Sequence, residues 1–205
     1  ILFVPNIELR TNTIVRSSDG NDHRVNFHVL FSDEVTTEQI EEDFLREVKF
    51  KAEGTPSGTD EEWPLTIRNL EILGQRLKAQ HAAFAEKTDI EVGMMNAVVD
   101  HGSVSDILER KRSIFSNRYL LAVPADEDLA ACSWNGQGHL ARKLMIQKSH
   151  MLFSANARTR EFALGLRHPS VAEFIAEFKS LKPCVHGSDA HDQAHLFMPD
   201  KQRFT

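Results

Sequence analysis

Two side chains that commonly bind metal ions lie two residues apart near the end of this chain. They belong to residues 186–191, HGSDAH, which follow an apolar stretch ending at Val185. In an extended segment, residues i and i+2 face the same side, so Asp189 and His191 can converge on one cation. The glycine and serine before Asp189 are small and leave room for a ligand. The pattern is consistent with a metal site after a strand, and also with an Asp and a His that cap the next element.

The sequence of this segment resembles the last metal-binding motif of the PHP (polymerase and histidinol phosphatase) superfamily of metal-dependent phosphoesterases. Two earlier segments occur in the expected order: FVPNIE (residues 3–8) and NFHVLF (residues 26–31). They resemble the superfamily strands that carry a metal-bridging glutamate and a ligand histidine. Further segments of the chain are most similar to the N-terminal PHP domain of TrlF-type proteins. They include PNIELRTN, LLAVPA, KSHMLFSAN and KPCVHGSDAH. In those proteins the domain precedes a large ATPase of the AAA or SMC kind.

The resemblance implies a metal centre with two or three divalent ions of manganese, zinc or magnesium. The implied metal ligands are Glu8, His28, His150, Asp189 and His191. Glu8, which would bridge two ions, Asp189 and His191 are also the implied catalytic residues. His150 has an alternative role, because it could be the last residue of the preceding helix, where an imidazolium interacts favourably with the helix dipole.

Positively charged side chains near these positions are candidates for binding a substrate phosphate. Arg158 and Arg160 follow a predicted strand, and a planar guanidinium binds phosphate through two hydrogen bonds. The alternative for both arginines is an exposed first turn of a helix. His186 could contact the phosphate or support a metal ligand.

The sequence departs from the PHP pattern at one motif. PHP proteins open with a His-x-His pair on their first strand, and this chain contains no such pair. The chain also begins without Met, in an apolar run, so we expect it to be one partial PHP-like domain of a longer protein, with the first strands missing and an ATPase domain following. The competing hypothesis is a catalytically weak module that docks or regulates the ATPase or another partner.

Composition and charge predict a soluble, cytoplasmic domain. With 205 residues and 41% apolar content, the chain can bury one sizeable core. No run approaches the roughly 18 apolar residues of a membrane span. Cys132 and Cys184 are too few for a disulfide framework and fit a reducing compartment. The net charge of -6 is the opposite of the positive charge expected of a domain that binds nucleic acid through many phosphates. A nucleic-acid phosphodiester is still a possible substrate, because metal ions supply positive charge in such sites.

Strand-like and helix-like segments alternate along the chain. The predicted strands are Ile1–Leu9, Asn12–Arg16, Val25–Phe31, Tyr119–Val123, Met151–Ser154 and Pro183–Val185. An N-cap region at residues 36–39 precedes one predicted helix, which carries Ile40, Phe44, Leu45 and Val48 at an amphipathic spacing. The other predicted helices are Leu65–Phe84, Val104–Lys111, Leu140–Lys148, Thr159–Leu164 and Val171–Ser180. Within the fourth helix we expect Arg142, Lys143 and Lys148 to form a solvated face. The alternation predicts an α/β fold, and the resemblance implies a distorted (β/α)7 TIM-like barrel of PHP type, with the candidate ligands at the carboxyl ends of its strands.

Overall fold

The computed structural model describes residues 4–16, 21–52, 62–125, 127–136 and 139–186. The strands are β1 (Asn6–Arg16), β2 (Asp22–Phe31), β3 (Lys49–Ala52), β4 (Trp63–Pro64), β5 (Ala97–Val99), β6 (Tyr119–Pro124), β7 (Met151–Phe153) and β8 (Cys184–Val185). They form a sheet in the order β4-β3-β5-β1-β2-β6-β7-β8. The predicted α/β class is therefore confirmed.

Eight α-helices lie in the described ranges. They are α1 (Thr37–Gln39), α2 (Ile67–Gln80), α3 (Asp89–Asn96), α4 (His101–Arg110), α5 (Arg112–Phe115), α6 (Leu140–Lys148), α7 (Ala157–Ala163) and α8 (Val171–Phe178). A π-helix over Ile40–Leu45 continues α1, and 3-10 turns cover Ala82–Phe84 and Leu129–Ala131. Within these ranges, no helix combines the length and apolar character needed to cross a membrane.

Some predicted bounds are wrong. β1 is one strand of eleven residues, where the sequence predicted two strands separated after Leu9. The long predicted helix stops at Gln80, and a 3-10 turn follows it. The sequence also missed β5, whose three buried residues, Ala97–Val99, are too short a run to stand out against a helix. α6 has the predicted bounds.

The chain divides into two compact units, and the first contains residues 1–12 and 31–119. Its core includes three aromatic rings, with Phe31 5.3 Å from Phe44 and 5.4 Å from Phe115 between ring centroids. Phe44 belongs to the π-helix, which begins after a capping box in which the Thr36 hydroxyl accepts the Gln39 amide N–H. The N-cap region predicted at residues 36–39 is confirmed, with Thr36 as the N-cap residue.

Two glycines let α2 and α3 of the first unit pack in backbone contact. A Cβ atom added to Gly74 would overlap the carbonyl oxygen of Asp89, and one added to Gly93 would overlap the carbonyl oxygen of Leu70. Each helix therefore contributes a glycine at the point where the other helix presents a carbonyl group. Any larger residue must push the helices apart.

The second unit contains residues 13–30 and 120–205. Its strands β6, β7 and β8 run parallel, with Val123 opposite Leu152 and Leu152 opposite Cys184. α6 connects β6 to β7, and α7 and α8 connect β7 to β8, as parallel pairing requires a crossover. This is the alternation that the sequence predicted for the second half of the chain.

Aromatic rings pack the helices of the second unit together. Phe162 of α7 lies 5.3 Å from Phe174 and 5.1 Å from Phe178, both on α8. Trp134 stacks on Phe162 at 5.4 Å and donates its indole N–H to the Leu129 carbonyl. The segment after β6 is thereby packed against the same core.

The predicted solvated face of α6 is wrong for two of its three residues. Arg142 is buried and lies 2.5 Å from Glu127. Lys143 is largely buried and pairs with Glu177 of α8 at 2.5 Å. Only Lys148 is exposed. Charge alone predicted solvent exposure here, but carboxylates on neighbouring segments make burial possible.

The glycine contact predicts a large difference between two otherwise similar substitutions. We expect Gly93→Ala to lower the free energy of unfolding by about 1–3 kcal/mol, because the added methyl group overlaps the Leu70 carbonyl. Gly102→Ala in α4 is the control, since its Cβ would approach only the Asp100 side chain at 3.0 Å. There, the gain in helix propensity of up to about 1 kcal/mol should keep stability unchanged or raise it. Urea unfolding of both variants measures the difference, and equal stabilities would contradict the proposed packing.

Candidate site at the carboxyl ends of the parallel strands

The three parallel strands of the second unit end at a common edge. The amide of Ala125, just after β6, donates to the Phe153 carbonyl at 2.8 Å, and the amide of Ser154, just after β7, donates to the Val185 carbonyl at 3.0 Å. Residues that follow β6, β7 and β8 are therefore neighbours. In parallel α/β structures this edge is where ligands usually bind.

Of the predicted metal ligands in the described ranges, His28 has its ring beside this edge. It belongs to β2 and is only 8% exposed. Its ring meets the ring of Phe153, the last residue of β7, edge-on at 4.8 Å between centroids. The structure thus places an imidazole beside the end of β7. Its role as a metal ligand stays a prediction.

His150 lies at the other end of the same strands, immediately before β7. Its backbone amide donates to the Leu121 carbonyl at 2.8 Å, and its ring Nδ1 accepts the Leu121 amide N–H at 2.9 Å. A histidine that binds metal through one ring nitrogen usually donates a proton from the other. Because Nδ1 accepts a hydrogen bond here, the neutral ring carries its proton on Nε2. This geometry favours a structural role for His150, which lies two residues beyond the end of α6.

The charge state of His150 fits that role. Partial burial, and then the positive charge of Lys182, lower the pKa of His150 below its ordinary value. The ring is therefore neutral at neutral pH, as an acceptor of the Leu121 N–H must be.

Glu8 lies in the first unit, near the beginning of β1 and not at a strand end as predicted. The side chain is exposed, while the next residue, Leu9, is buried. Glu8 therefore occupies the outward face of a strand with period-two burial. Its assignment as a bridging ligand stays a prediction from the sequence.

Of the HGSDAH segment, only His186 is described. It follows β8 directly, and its Nε2 atom is buried and has no hydrogen-bond partner among the described residues. Buried polar atoms are nearly always hydrogen-bonded, so an unpaired one is consistent with a group that meets a ligand. Asp189 and His191 lie outside the described residues.

The two candidate arginines point to different neighbours. Arg158 Nε lies 2.9 Å from Asp128 Oδ2, in the segment after β6. Two residues further along α7, roughly 200° around the helix, Arg160 is exposed. Burial raises the pKa of the Cys184 thiol in β8, and the positive charge of Arg160 partly offsets that rise. Arg158 therefore faces the β6 side and Arg160 the β8 side.

A polar network that was not predicted from the sequence follows β6. Glu127 pairs with the buried Arg142, its carbonyl accepts the Thr159 hydroxyl at 2.5 Å, and that hydroxyl accepts the Leu129 amide at 2.9 Å. The acidic run at residues 126–128 was visible in the sequence, but its partners lie on helices 15 or more residues away.

The described part of the chain does not assemble a complete metal site. Within it, no three His, Cys, Asp or Glu side chains come close enough together to hold an ion. His28 suits a metal by ligand chemistry and position, whereas His150 does not.

Comparisons with protein-family models, with curated proteins and with solved structures gave no match. The resemblance to PHP proteins therefore rests on the segments quoted above and stays a hypothesis.

Lys182, which leads into β8, is a buried cation held mainly by backbone oxygens. It is 1% exposed and donates to the carbonyls of Ser149 and Gln147 at 2.7 and 3.3 Å and to the Ser180 hydroxyl at 2.9 Å. Burial lowers its pKa to about 8. The lysine thereby binds backbone carbonyls at the end of α6.

This burial predicts a pH-dependent stability. Between pH 8 and 10.5 the unfolded chain keeps the Lys182 proton while the folded chain has released it. Stability rises with pH wherever the unfolded state binds more protons, so wild type should gain stability relative to Lys182→Met across this window. Below pH 8 the difference should be constant. Urea unfolding from pH 7 to 10 tests this, with Lys148→Met at an exposed position as control. A pH-independent difference between wild type and Lys182→Met would contradict the lowered pKa.

Proposed function

We propose that this chain is part of a metal-dependent phosphoesterase of PHP type, with its sheet belonging to a distorted TIM-like barrel. The observation that carries the proposal is the position of His28 and His186. His28 lies buried against the last residue of β7, and His186 follows β8 with a buried nitrogen that has no partner in the described part of the chain. Both are imidazoles near the edge where parallel strands usually place their chemistry.

The proposed metal ligands in the second unit are His28, Asp189 and His191. Imidazole together with carboxylate suits manganese or zinc better than a site of magnesium alone. Glu8 is retained as a proposed ligand on the resemblance alone. His150 is left out, because its Nδ1 accepts a backbone N–H.

Bound divalent ions would lower the pKa of a water molecule and stabilise the phosphoryl oxygens during hydrolysis. The chain itself would supply the orientation of the substrate. Arg160 is exposed on the β8 side of α7 and can approach a phosphate, whereas Arg158 already holds Asp128. His186 would contact the same phosphate through Nε2.

The proposed substrate is a phosphate ester, and a nucleic-acid phosphodiester is the preferred candidate because of the resemblance to TrlF-type proteins. An attached ATPase domain and a cytoplasmic location belong to the same proposal. This assignment rests on analogy between domains, since a fold does not fix its substrate.

The second candidate function is a module that docks or regulates an attached ATPase without catalysing hydrolysis. It is favoured by the lack of a His-x-His pair in the sequence. The two candidates differ in metal content and in turnover.

A measurement of metal content is the first experiment that distinguishes the two candidate functions. We expect the full-length protein, reconstituted with manganese, to retain at least one ion per chain, and His191→Ala to lose much of it because an imidazole ligand is removed. His81→Ala is the control, since His81 is an exposed histidine of the first unit. Elemental analysis after gel filtration gives the ratios. Equal metal content in wild type and His191→Ala would exclude the proposed ligand set.

A measurement of turnover is the second experiment that distinguishes the two candidate functions. We expect Asp189→Asn to reduce hydrolysis of phosphate esters by roughly a thousandfold or more, because the amide keeps the shape but loses the charge that holds the cation. Asp106→Asn, at an exposed position on α4, should leave the rate unchanged. Assays use a generic phosphate ester and single- and double-stranded nucleic acid with manganese. If wild type and Asp189→Asn hydrolyse every substrate at one background rate, the docking module replaces the enzyme.

A further inference from the structure

Two arginines from two helices hold the segment that follows β6. Arg142 of α6 lies 2.5 Å from Glu127, and Arg158 of α7 lies 2.9 Å from Asp128. The Thr159 hydroxyl adds two hydrogen bonds, one to the Glu127 carbonyl and one from the Leu129 amide. The segment is thus attached to both helices by side chains that lie far from it in sequence.

The two ion pairs differ in strength. The Arg142 side chain is 3% exposed and that of Glu127 is 20% exposed, so this pair is shielded from water. Arg158 is 59% exposed, and an ion pair in such a position contributes little. Removing one partner of a shielded pair leaves a charge without compensation. The Arg142–Glu127 pair is therefore the main attachment.

A continuous path of contacts leads from this pair to His28. Ala125, two residues before Glu127, donates its amide to the carbonyl of Phe153. The ring of Phe153 is the one that meets His28 edge-on. A shift of Glu127 that carried Ala125 with it would therefore move the end of β7 and the ring that packs against His28.

We infer that Arg142 and Glu127 are positioning residues, which set the orientation of His28 through the segment after β6 and the ring of Phe153. This inference rests on the proposed function, in which His28 is a metal ligand. Arg158 belongs to the same attachment through Asp128.

The first test measures the attachment itself and needs no activity. The Leu129 amide is protected by its bond to Thr159, so in Arg142→Met its hydrogen exchange should accelerate about tenfold. The His28 ring protons, which lie beside Phe153, should change their NMR chemical shifts. Arg110→Met is the matched control, because Arg110 forms an exposed pair with Glu47 at 2.9 Å in the first unit. Neither signal should change in that variant.

The second test measures hydrolysis by the full-length protein. We expect Arg142→Met to lower kcat by about tenfold with little change in KM, because a displaced ligand affects the reacting centre more than phosphate binding. Arg142→Lys, which keeps the charge, should recover part of kcat. Should Arg142→Met fail to fold, Glu127→Gln, which keeps the shape and removes the charge that pairs with Arg142, is measured in its place.

The outcomes distinguish this inference from the proposed function. Unchanged Leu129 exchange or unchanged His28 shifts in a folded Arg142→Met or Glu127→Gln overturns the inference, whatever the activity. Altered exchange and shifts with unchanged kcat also overturn it, because His28 would then move without affecting the reaction. If the wild type hydrolyses nothing, the proposed function fails, and the positioning of a reaction fails with it, while the exchange and shift data still decide whether the attachment orients His28.

Discussion

The parallel register of β6, β7 and β8 is the constraint on which the candidate site depends. Two backbone hydrogen bonds just beyond the strands, from Ala125 to Phe153 and from Ser154 to Val185, bring three distant segments to one edge. Without them, His186 and the segment after β6 would have no common neighbour. The helices between the strands supply the crossovers that this register requires. The polar network around Glu127 then attaches the edge to α6 and α7.

Local sequence signals predicted much of the second unit correctly. α6 has the predicted bounds, and α8 begins at Val171 as predicted, because the spacing of apolar residues and the Ser170 cap are both local in sequence. β6 and β7 were also predicted, since each is a short apolar run. The first unit was less predictable. The burial of Ala97–Val99 depends on neighbouring strands that no local pattern reveals.

The candidate site was predictable only in part, because it also depends on residues that are distant in sequence. Residue type identified His28 as a possible ligand, and the structure places its ring beside Phe153 at the end of β7. Residue type could not distinguish His28 from His150. The Leu121 N–H that donates to the His150 Nδ1 atom lies 29 residues earlier in the sequence. The burial of Arg142 depends on Glu127, which is 15 residues away and on another element. Partners that are distant in sequence decide whether a polar residue is a ligand, a structural group or a solvated charge.

The reciprocal glycines of α2 and α3 have a consequence for how this chain can vary. In most helix pairs the separation is set by side chains, and exchanging one side chain for another adjusts it by small steps. Here each helix meets a carbonyl oxygen of the other where Gly74 and Gly93 carry no side chain. The smallest available change is a whole methyl group, and it acts on a rigid backbone. The spacing of these two helices is therefore an all-or-none property, which sequence change can keep or lose but cannot adjust gradually.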